Sequence, residues 1–476
     1  MLSCRELNKP GKTLLQKLKS LLLWFLSAAV ILVILVVSTV MFVNRKDQEP
    51  SPAALSLKKI AASQATVADQ DNAFVYAMGF LAPEDSDAGE IGSARVQWLR
   101  GFVAKANSEE FPKIPGEEGV LAKARSAEFR QLASVCKESN RACADAIERD
   151  PARIRGWASS ESKMIDRYQG LLAFRQWREL WPSDLRALTP HFAEILDGQR
   201  LMLLKAWLMA GNGDAAGSKR LLERDLQFWR MTLAESTSLI SKLIAASAIE
   251  QHFKMGNLVL RRLPPASVTR GIPEGWVEPI TVRERSMMNV MANESAFSER
   301  YLGSALKSGA WFETDDETGS ESLGTRLAAR FLFQPQATVN INANRLHAVA
   351  ELFERDYAVV PAAADDLQAS KEFRQKEFTE LGIYNFMGDL LANLSEPEMH
   401  VKYGFRIANL EGVRRISLLA SQLRSIGVNE KDLPQSLYKS GLRDPFDGSP
   451  FNWDAKEKSL VFRQALSGKA DLKVAY

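Results

Sequence analysis

The feature that most constrains this chain is the stretch from Leu21 to Val43, which contains no charged side chain. In a helix those residues rise about 34 Å, enough for a hydrocarbon core of roughly 30 Å. No water inside a bilayer can satisfy open backbone groups, so such a segment must be helical there. Ser27, Ser38 and Thr39 are its only hydroxyl residues, and a small hydroxyl can bond back to a helix carbonyl. Trp24 and Phe25 near one end and Phe42 near the other suit the two interfaces. A cleaved signal peptide has an apolar core of about 7–15 residues followed by small residues. This core is longer, and Phe42-Val43-Asn44 is a poor cleavage site. The expectation is therefore an uncleaved anchor over 21–43. Arg5, Lys9, Lys12, Lys17 and Lys19 precede it against the single acid Glu6. Basic flanks stay in the cytoplasm. Residues 1–20 then form a cytoplasmic basic tail, and the bulk of the chain lies on the far side of the membrane from the cytoplasm.

The chain carries a net charge of +3, with five bases and one acid in its first twenty residues. The remainder is close to neutral. It lacks the basic field that nucleic-acid binding requires, so DNA and RNA are set aside as partners. Residues 44–476 are enough for two or three domains with real cores.

Cys136 and Cys143 fall on the far side of the membrane, whereas Cys4 falls on the cytoplasmic side. Disulfides persist on that far, oxidising side. On one straight helix Cys136 and Cys143 would stand about 10.5 Å apart, too far to bridge. A turn at Glu138-Ser139-Asn140, with Ser139 or Asn140 capping the next helix, would bring them together. We read a local disulfide; two buried free thiols are the alternative. There is no CxxC redox site.

Along the chain, residues 44–56 are charged, Pro-containing and aperiodic, and read as a linker. Residues 57–263 read as a helical lobe. Helical periodicity runs through 89–106, through a long aromatic stretch at 151–181, and through 191–210, where Ile195, Gln199, Met202, Ala206 and Met209 share a face. Gly211-Asn212-Gly213-Asp214 stops that helix and caps the next, which carries Leu222, Leu226 and Trp229 on one face. The pair resembles a helical hairpin of the tetratricopeptide type. A weaker echo at Ala248 to Asn257 is off the 34-residue period, and two units do not make an array. The prolines and glycines of 264–280 predict a non-helical connection between lobes. A second helical lobe spans 281–443, with an acidic loop at 313–322, helices at 323–333, 341–355 and 366–380, and a long helix at 400–426. Residues 444–476 read as a hairpin and tail, with Asp447-Gly448 as a turn and Phe451, Trp453, Leu460 and Phe462 as an aromatic and apolar face laid on the long helix. The fold class expected is thus mainly α: a transmembrane helix, a helical-hairpin periplasmic domain and a short C-terminal β-hairpin.

Residues Ile407 to Phe462 carry a long helix, then Leu433-Pro-Gln-Ser-Leu437, then Asp444-Pro-Phe-Asp-Gly-Ser-Pro450. This resembles a C-terminal arrangement of uncharacterised bacterial inner-membrane-anchored envelope proteins. The hairpin part is similar to the tip of type II secretion pseudopilins. The chain departs from a pilin in its length and in lacking a Glu inside 21–43. The run Asp71 to Phe80, the Cys136/Cys143 pair and Arg167-Tyr168 look like features of the same envelope family. The resemblance implies no activity.

Local catalytic signals are missing. The histidines are His191, His252, His347 and His400, with no HExxH among them; His347 and Glu351 could share a helix face. No GxSxG elbow, Walker loop or GxGxxG opens a helix. No catalytic set and no cofactor is assigned. Asp444, Asp447 and Asp454 cluster around a turn and could hold calcium, as occurs near some pseudopilin tips; capping of their own turns is the alternative. Trp98, Trp157, Trp177, Trp181, Trp207 and Trp229 lie at core-facing spacings, although a tryptophan-lined ligand groove is also conceivable. The expected function is a membrane-anchored interaction or scaffold protein with envelope proteins as partners. The alternative is a periplasmic hydrolase with a dispersed carboxylate site. A deep pocket with two carboxylates about 5–9.5 Å apart would favour the hydrolase, and an apolar groove the scaffold.

Overall fold

A computed structural model describes residues 11–64, 66–83, 86–104, 126–179, 189–308, 331–375, 382–394, 396–465 and 470–476. The acidic loop at 313–322, most of the helix expected at 323–333, and Trp181 lie outside these residues. The chain is mainly helical, with one short sheet at its C-terminus. It divides into two compact units, each drawn from separate stretches: Met1–Ser51, Leu302–Asn342 and Gln375–Ser395 in one, and Pro52–Tyr301, Ala343–Arg374 and Glu396–Tyr476 in the other.

In the first unit, α1 runs Gly11–Val43. Its segment Gln16–Val43 is long and apolar enough to cross a membrane, with a mean hydropathy of 2.9. The residues after α1 are not a free tether. Asn44 Nδ2 donates to Val40 O and to Ile383 O, both at 2.9 Å. Asn44 Oδ1 accepts from Asn385 N at 2.8 Å, and Gln334 Nε2 donates to Asn44 O at 2.8 Å. The Asp47 carboxylate accepts from Gln336 N and Ala337 N, at the start of a helix that runs Pro335–Leu352. An acid there satisfies orphan amides at the positive end of a helix. Asn340 holds Glu49 O and Ser51 N. A linker was expected over 44–56; instead 44–51 is stapled by side chains, and a helix begins at Pro52.

The second unit is built on α9 (Phe192–Gly211), α10 (Ala215–Glu235) and α11 (Leu239–Arg261), which pack on one another in sequence. Gly213 has φ +80, a conformation that suits glycine, and Asp214 caps α10 by accepting from Gly217 N. Ser238 caps α11 in the same way. The hairpin of α9 and α10 is the one the sequence predicts. The echo at 248–257 is no second hairpin: it lies inside α11, and Gly256 lets the Trp276 ring approach, for a Cβ there would sit 2.8 Å from Trp276 Cζ2. The aromatic stretch at 151–181, read as helically periodic, is helical only as far as Leu171, in two helices, α7 (Pro151–Ser160) and α8 (Ser162–Leu171), and residues 174–179 are non-helical.

The Pro-rich segment 264–280 is also corrected. It forms α12 (Pro265–Gly271) and α13 (Glu274–Val277), and α14 (Val282–Arg285) comes next. Proline fits the first turn of a helix, where its missing N–H has no bond to lose. Trp276 is fully buried, so the segment is core and not a boundary. Arg414 Nη1 donates to Trp276 O at 2.7 Å and Glu411 accepts from Ile280 N at 2.9 Å, fixing it to the long helix Pro397–Ser425.

That long helix also carries the sheet. The expected hairpin is a three-stranded antiparallel sheet: β1 (Asn452–Asp454), β2 (Ser459–Phe462) and β3 (Leu472–Ala475), in the order β1-β2-β3. Trp453 pairs with Leu460, and Leu460 with Val474. The Phe462 ring lies on Gly412, where a Cβ would come within 2.1 Å of it. Burying a phenylalanine is worth about 1.5–3 kcal/mol. The third strand is held by polar side chains: Ala475 N donates to Asn140 Oδ1, and Ala475 O accepts from Asn257 and Arg424.

Candidate functional site

The residues with most chemistry meet in the middle of the second unit. Asp225 stands on the apolar face of α10 between Leu222 and Trp229, and it is fully buried. Its carboxylate accepts from the Tyr168 hydroxyl, from Gln199 Nε2 at 3.0 Å and from His252 Nδ1 at 2.7 Å. Trp276 Nε1 donates to His252 Nε2 at 2.8 Å. An indole N–H only donates, so Nε2 is an acceptor and the proton of the neutral ring sits on Nδ1. Trp229 Nε1 donates to Tyr168 Oη at 2.7 Å. Burial, and next the Asp225 charge, raise the Tyr168 hydroxyl well above the usual tyrosine range. An Asp–His pair at this distance is the core of a nucleophile-activating triad. Here both partners are sealed, and both imidazole nitrogens are engaged. The cluster ties α8, α9, α10, α11 and α13 into one frame, which is a structural use of those groups.

Among the described residues of the second unit are three open concavities. The first, of about 390 Å³, lies among α5 (Ala127–Glu138), α6 (Asn140–Arg149) and α7, and is lined by Glu128, Asp145, Asp150, Arg149, Arg153 and Trp157, among others. The Glu128 carboxyl is lowered by its own backbone N–H and by Ser126, and Asp150 is lowered by the Arg153 backbone N–H. Asp145 is paired with Arg141 at 2.9 Å. A glycosidase acid must instead be held up. The second cleft, of about 420 Å³, brings Lys137, Arg200, Lys254 and Arg406 alongside Cys136. Arg200 pairs with Asp197 and Lys254 with Glu250.

The third is an apolar groove of about 660 Å³. Leu418, Leu419 and Leu423, on the last turns of the helix Pro397–Ser425, form its floor. Ile272, Pro273 and Val277 form one wall, and Ser436, Lys439 and Ser440 stand on the other side. The helix α12 packs along that long helix, and the three floor leucines are themselves buried, so the apolar surface the groove offers to solvent is chiefly its rim. Val277 at its lip is 61% exposed and Ile426 is 75% exposed.

The structure places each residue singled out in the sequence. The Cys136 and Cys143 sulfurs are 2.01 Å apart, across the turn between α5 and α6, with Ser139 accepting from Ala142 N as the cap. Asp444, Asp447 and Asp454 do not gather around a point: no metal-holding group of acids, histidines or cysteines occurs among the described residues. The expectation of calcium is corrected on that ground. Each carboxylate accepts from a backbone amide of its own turn: Asp444 from Phe446 N, Asp447 from Ser449 N, and Asp454 from Lys456 N and Glu457 N. Asp454 also takes Lys473 at 2.8 Å. His347 and Glu351 form a partly exposed contact at 3.6 Å. The run 71–80 and Arg167 do meet: Arg167 donates to the carbonyls of Phe80, Pro83 and Ser86, and the Tyr76 hydroxyl donates to Arg167 O. Trp177, Trp207 and Trp229 are core residues, and Trp98 and Trp157 are half-buried. Sequence reasoning missed the Asp225–His252 cluster and the groove. An acid between Leu222 and Leu226 on an apolar face was the available signal for the cluster.

No protein-family model, curated protein or solved structure matches this chain.

Proposed function

We propose that this is a single-pass membrane-anchored interaction protein whose groove holds an apolar segment of another envelope protein. The groove carries the reading: it is open, leucine-floored, lipped by exposed Val277 and Ile426, and its lining includes no histidine or cysteine. Centres of interfaces are apolar and poor in charge, which this floor matches. Supporting the anchor is one N-terminal helix of sufficient length and apolarity. The basic residues before it favour a cytoplasmic N-terminus and a periplasmic bulk. The cystine between α5 and α6 suits that oxidising side. The C-terminal resemblance to inner-membrane-anchored envelope proteins points the same way.

The test places a photo-crosslinking residue at Val277 and, separately, at Ile426 of the full-length protein in intact membranes. Capture of the same envelope protein from both positions, abolished by Leu419→Glu, supports the reading. Empty crosslinks at both positions, or products unaffected by Leu419→Glu, would remove it.

A further inference from the structure

Beyond the groove, the first unit presents a second apolar surface, and its position identifies what covers it. The helix Phe386–Leu394 turns Gly388, Asp389 and Ala392 inward. Its inward face is tightly seated, for a Cβ on Gly388 would meet Thr338 Oγ1 at 2.0 Å. Leu390 is exposed on the opposite side, Phe386, Met387 and Leu391 are half-buried, and Ile383 is exposed in the turn that precedes the helix. Ile383 and Leu390 are thus two exposed apolar side chains, one in the turn and one on the helix it leads into. Ile383 is 54% exposed and Leu390 is 37% exposed.

The pair begins at the end of α1. Ile383 O accepts from Asn44 Nδ2, and the same nitrogen donates to Val40 O in the last turn of the apolar helix. Gln16–Val43 in a helix spans about 42 Å, longer than the roughly 30 Å hydrocarbon core, so its ends reach the headgroup layers. At the same level, the Arg45 guanidinium stands 4.4 Å from the Phe42 ring centroid, a basic and aromatic pair suited to that layer. A helix lying in this layer buries its apolar face about 5–10 Å deep. We propose that the helix Phe386–Leu394 is an interfacial element, and that the Ile383/Leu390 pair lies in the outer edge of the same bilayer that α1 crosses. The inference rests on α1 spanning the membrane. Lipid is the occupant because the pair is continuous with the membrane helix through Asn44.

Full-length protein with Cys4→Ser is reconstituted in phosphatidylcholine vesicles. A polarity-sensitive fluorophore is attached, one site at a time, to Ile383→Cys, Leu390→Cys, Leu35→Cys and Ile426→Cys. Spin-labelled lipids carry the quencher either near the headgroup or deep in the acyl chain. The expected result is a blue-shifted emission at 383 and 390, quenched most by the shallow label. Leu35 should be quenched most by the deep label, and Ile426 by neither. Water-like, unquenched emission at 383 and 390 with Leu35 quenched would overturn the interfacial helix while leaving the anchor intact. Blue-shifted emission at 383 and 390 with no lipid quenching would also overturn it, by showing protein over the pair. Loss of quenching at Leu35 as well would overturn both the anchor and the inference built on it.

Discussion

Lys242 offers a sharp test of the core, because it is fully buried inside α11. Its ammonium nitrogen donates to Leu233 O at 2.7 Å and Glu284 O at 3.0 Å. The nearby carboxylates are committed elsewhere: Glu284 to Arg230 and Thr281, and Glu179 to Trp177, Thr237 and Ser238. Burial therefore outweighs their attraction and pushes the lysine down to about 7 from its ordinary 10.5. The folded state then binds fewer protons than the unfolded state between those two values. Stability rises with pH wherever the unfolded chain binds more protons. Below about pH 7 the amine is charged in both states and its burial penalty is at its largest; the penalty fades as pH climbs toward 10.5. From pH 6 to pH 9 the gain from this one group is on the order of 2–3 kcal/mol. Lys242→Met removes the titration. Urea unfolding of the full chain in detergent, followed by tryptophan fluorescence at both pH values, should show wild type gaining on the order of 2–3 kcal/mol more than the variant over that interval. Other titrating groups are common to both proteins and cancel in this difference. Equal gains in the two proteins would refute the reasoning, because Lys242 would then be titrating as it does in the unfolded chain.

Three further outcomes are set by the packing. Asp225→Ala leaves the Tyr168 hydroxyl, a Gln199 N–H and the His252 ring N–H without an acceptor in a dry core. It should cost about 3–5 kcal/mol in urea unfolding, and a loss under 1 kcal/mol would contradict the sealed network. Gly412→Ala drives a methyl into the Phe462 ring and should lower stability by about 1–3 kcal/mol, partly restored by Phe462→Leu; an unchanged melting temperature would count against that contact. The Cys136–Cys143 link closes a short loop, so Cys136→Ser should cost about 2–3 kcal/mol. Reductant should lower wild type by a similar amount and leave the variant unmoved, and insensitivity of wild type would contradict the link.

The parts of the fold governed by local rules were legible in the sequence. The α9–α10 hairpin is announced by Gly213 and Asp214, and the α5–α6 turn by Ser139, because caps and left-handed glycines act within a turn of the chain. The errors have a common cause in long-range packing. Gly256-Asn257 reads as a turn, yet the glycine is there to admit Trp276 and the asparagine to hold Ala475 O. The prolines of 264–280 read as a break, yet Pro265 begins a helix whose neighbour Trp276 plugs the core. Leu472 to Ala475 carries no strand signal of its own, because three side chains from distant helices position it. The groove was equally illegible. Leu418, Leu419 and Leu423 carry a core-facing pattern and are buried, and the concavity above them is set by the path of α12 and α13, which no local pattern announces.

The side-chain staple after α1 also sets an order of events during synthesis. Asn44 must wait for Ile383, 339 residues later in the chain. At about 5–20 residues per second, the ribosome takes roughly 17–70 s to supply it. Throughout that interval Asn44 and Asp47 stand next to the apolar helix with their eventual partners unmade. The first unit can therefore close only after most of the second has been translated, although it contains the first residues of the chain. A chain cut short before residue 383 would keep the apolar helix α1 and the α9–α10–α11 bundle, but would leave the Asn44 contacts to Ile383 and Asn385 unmade.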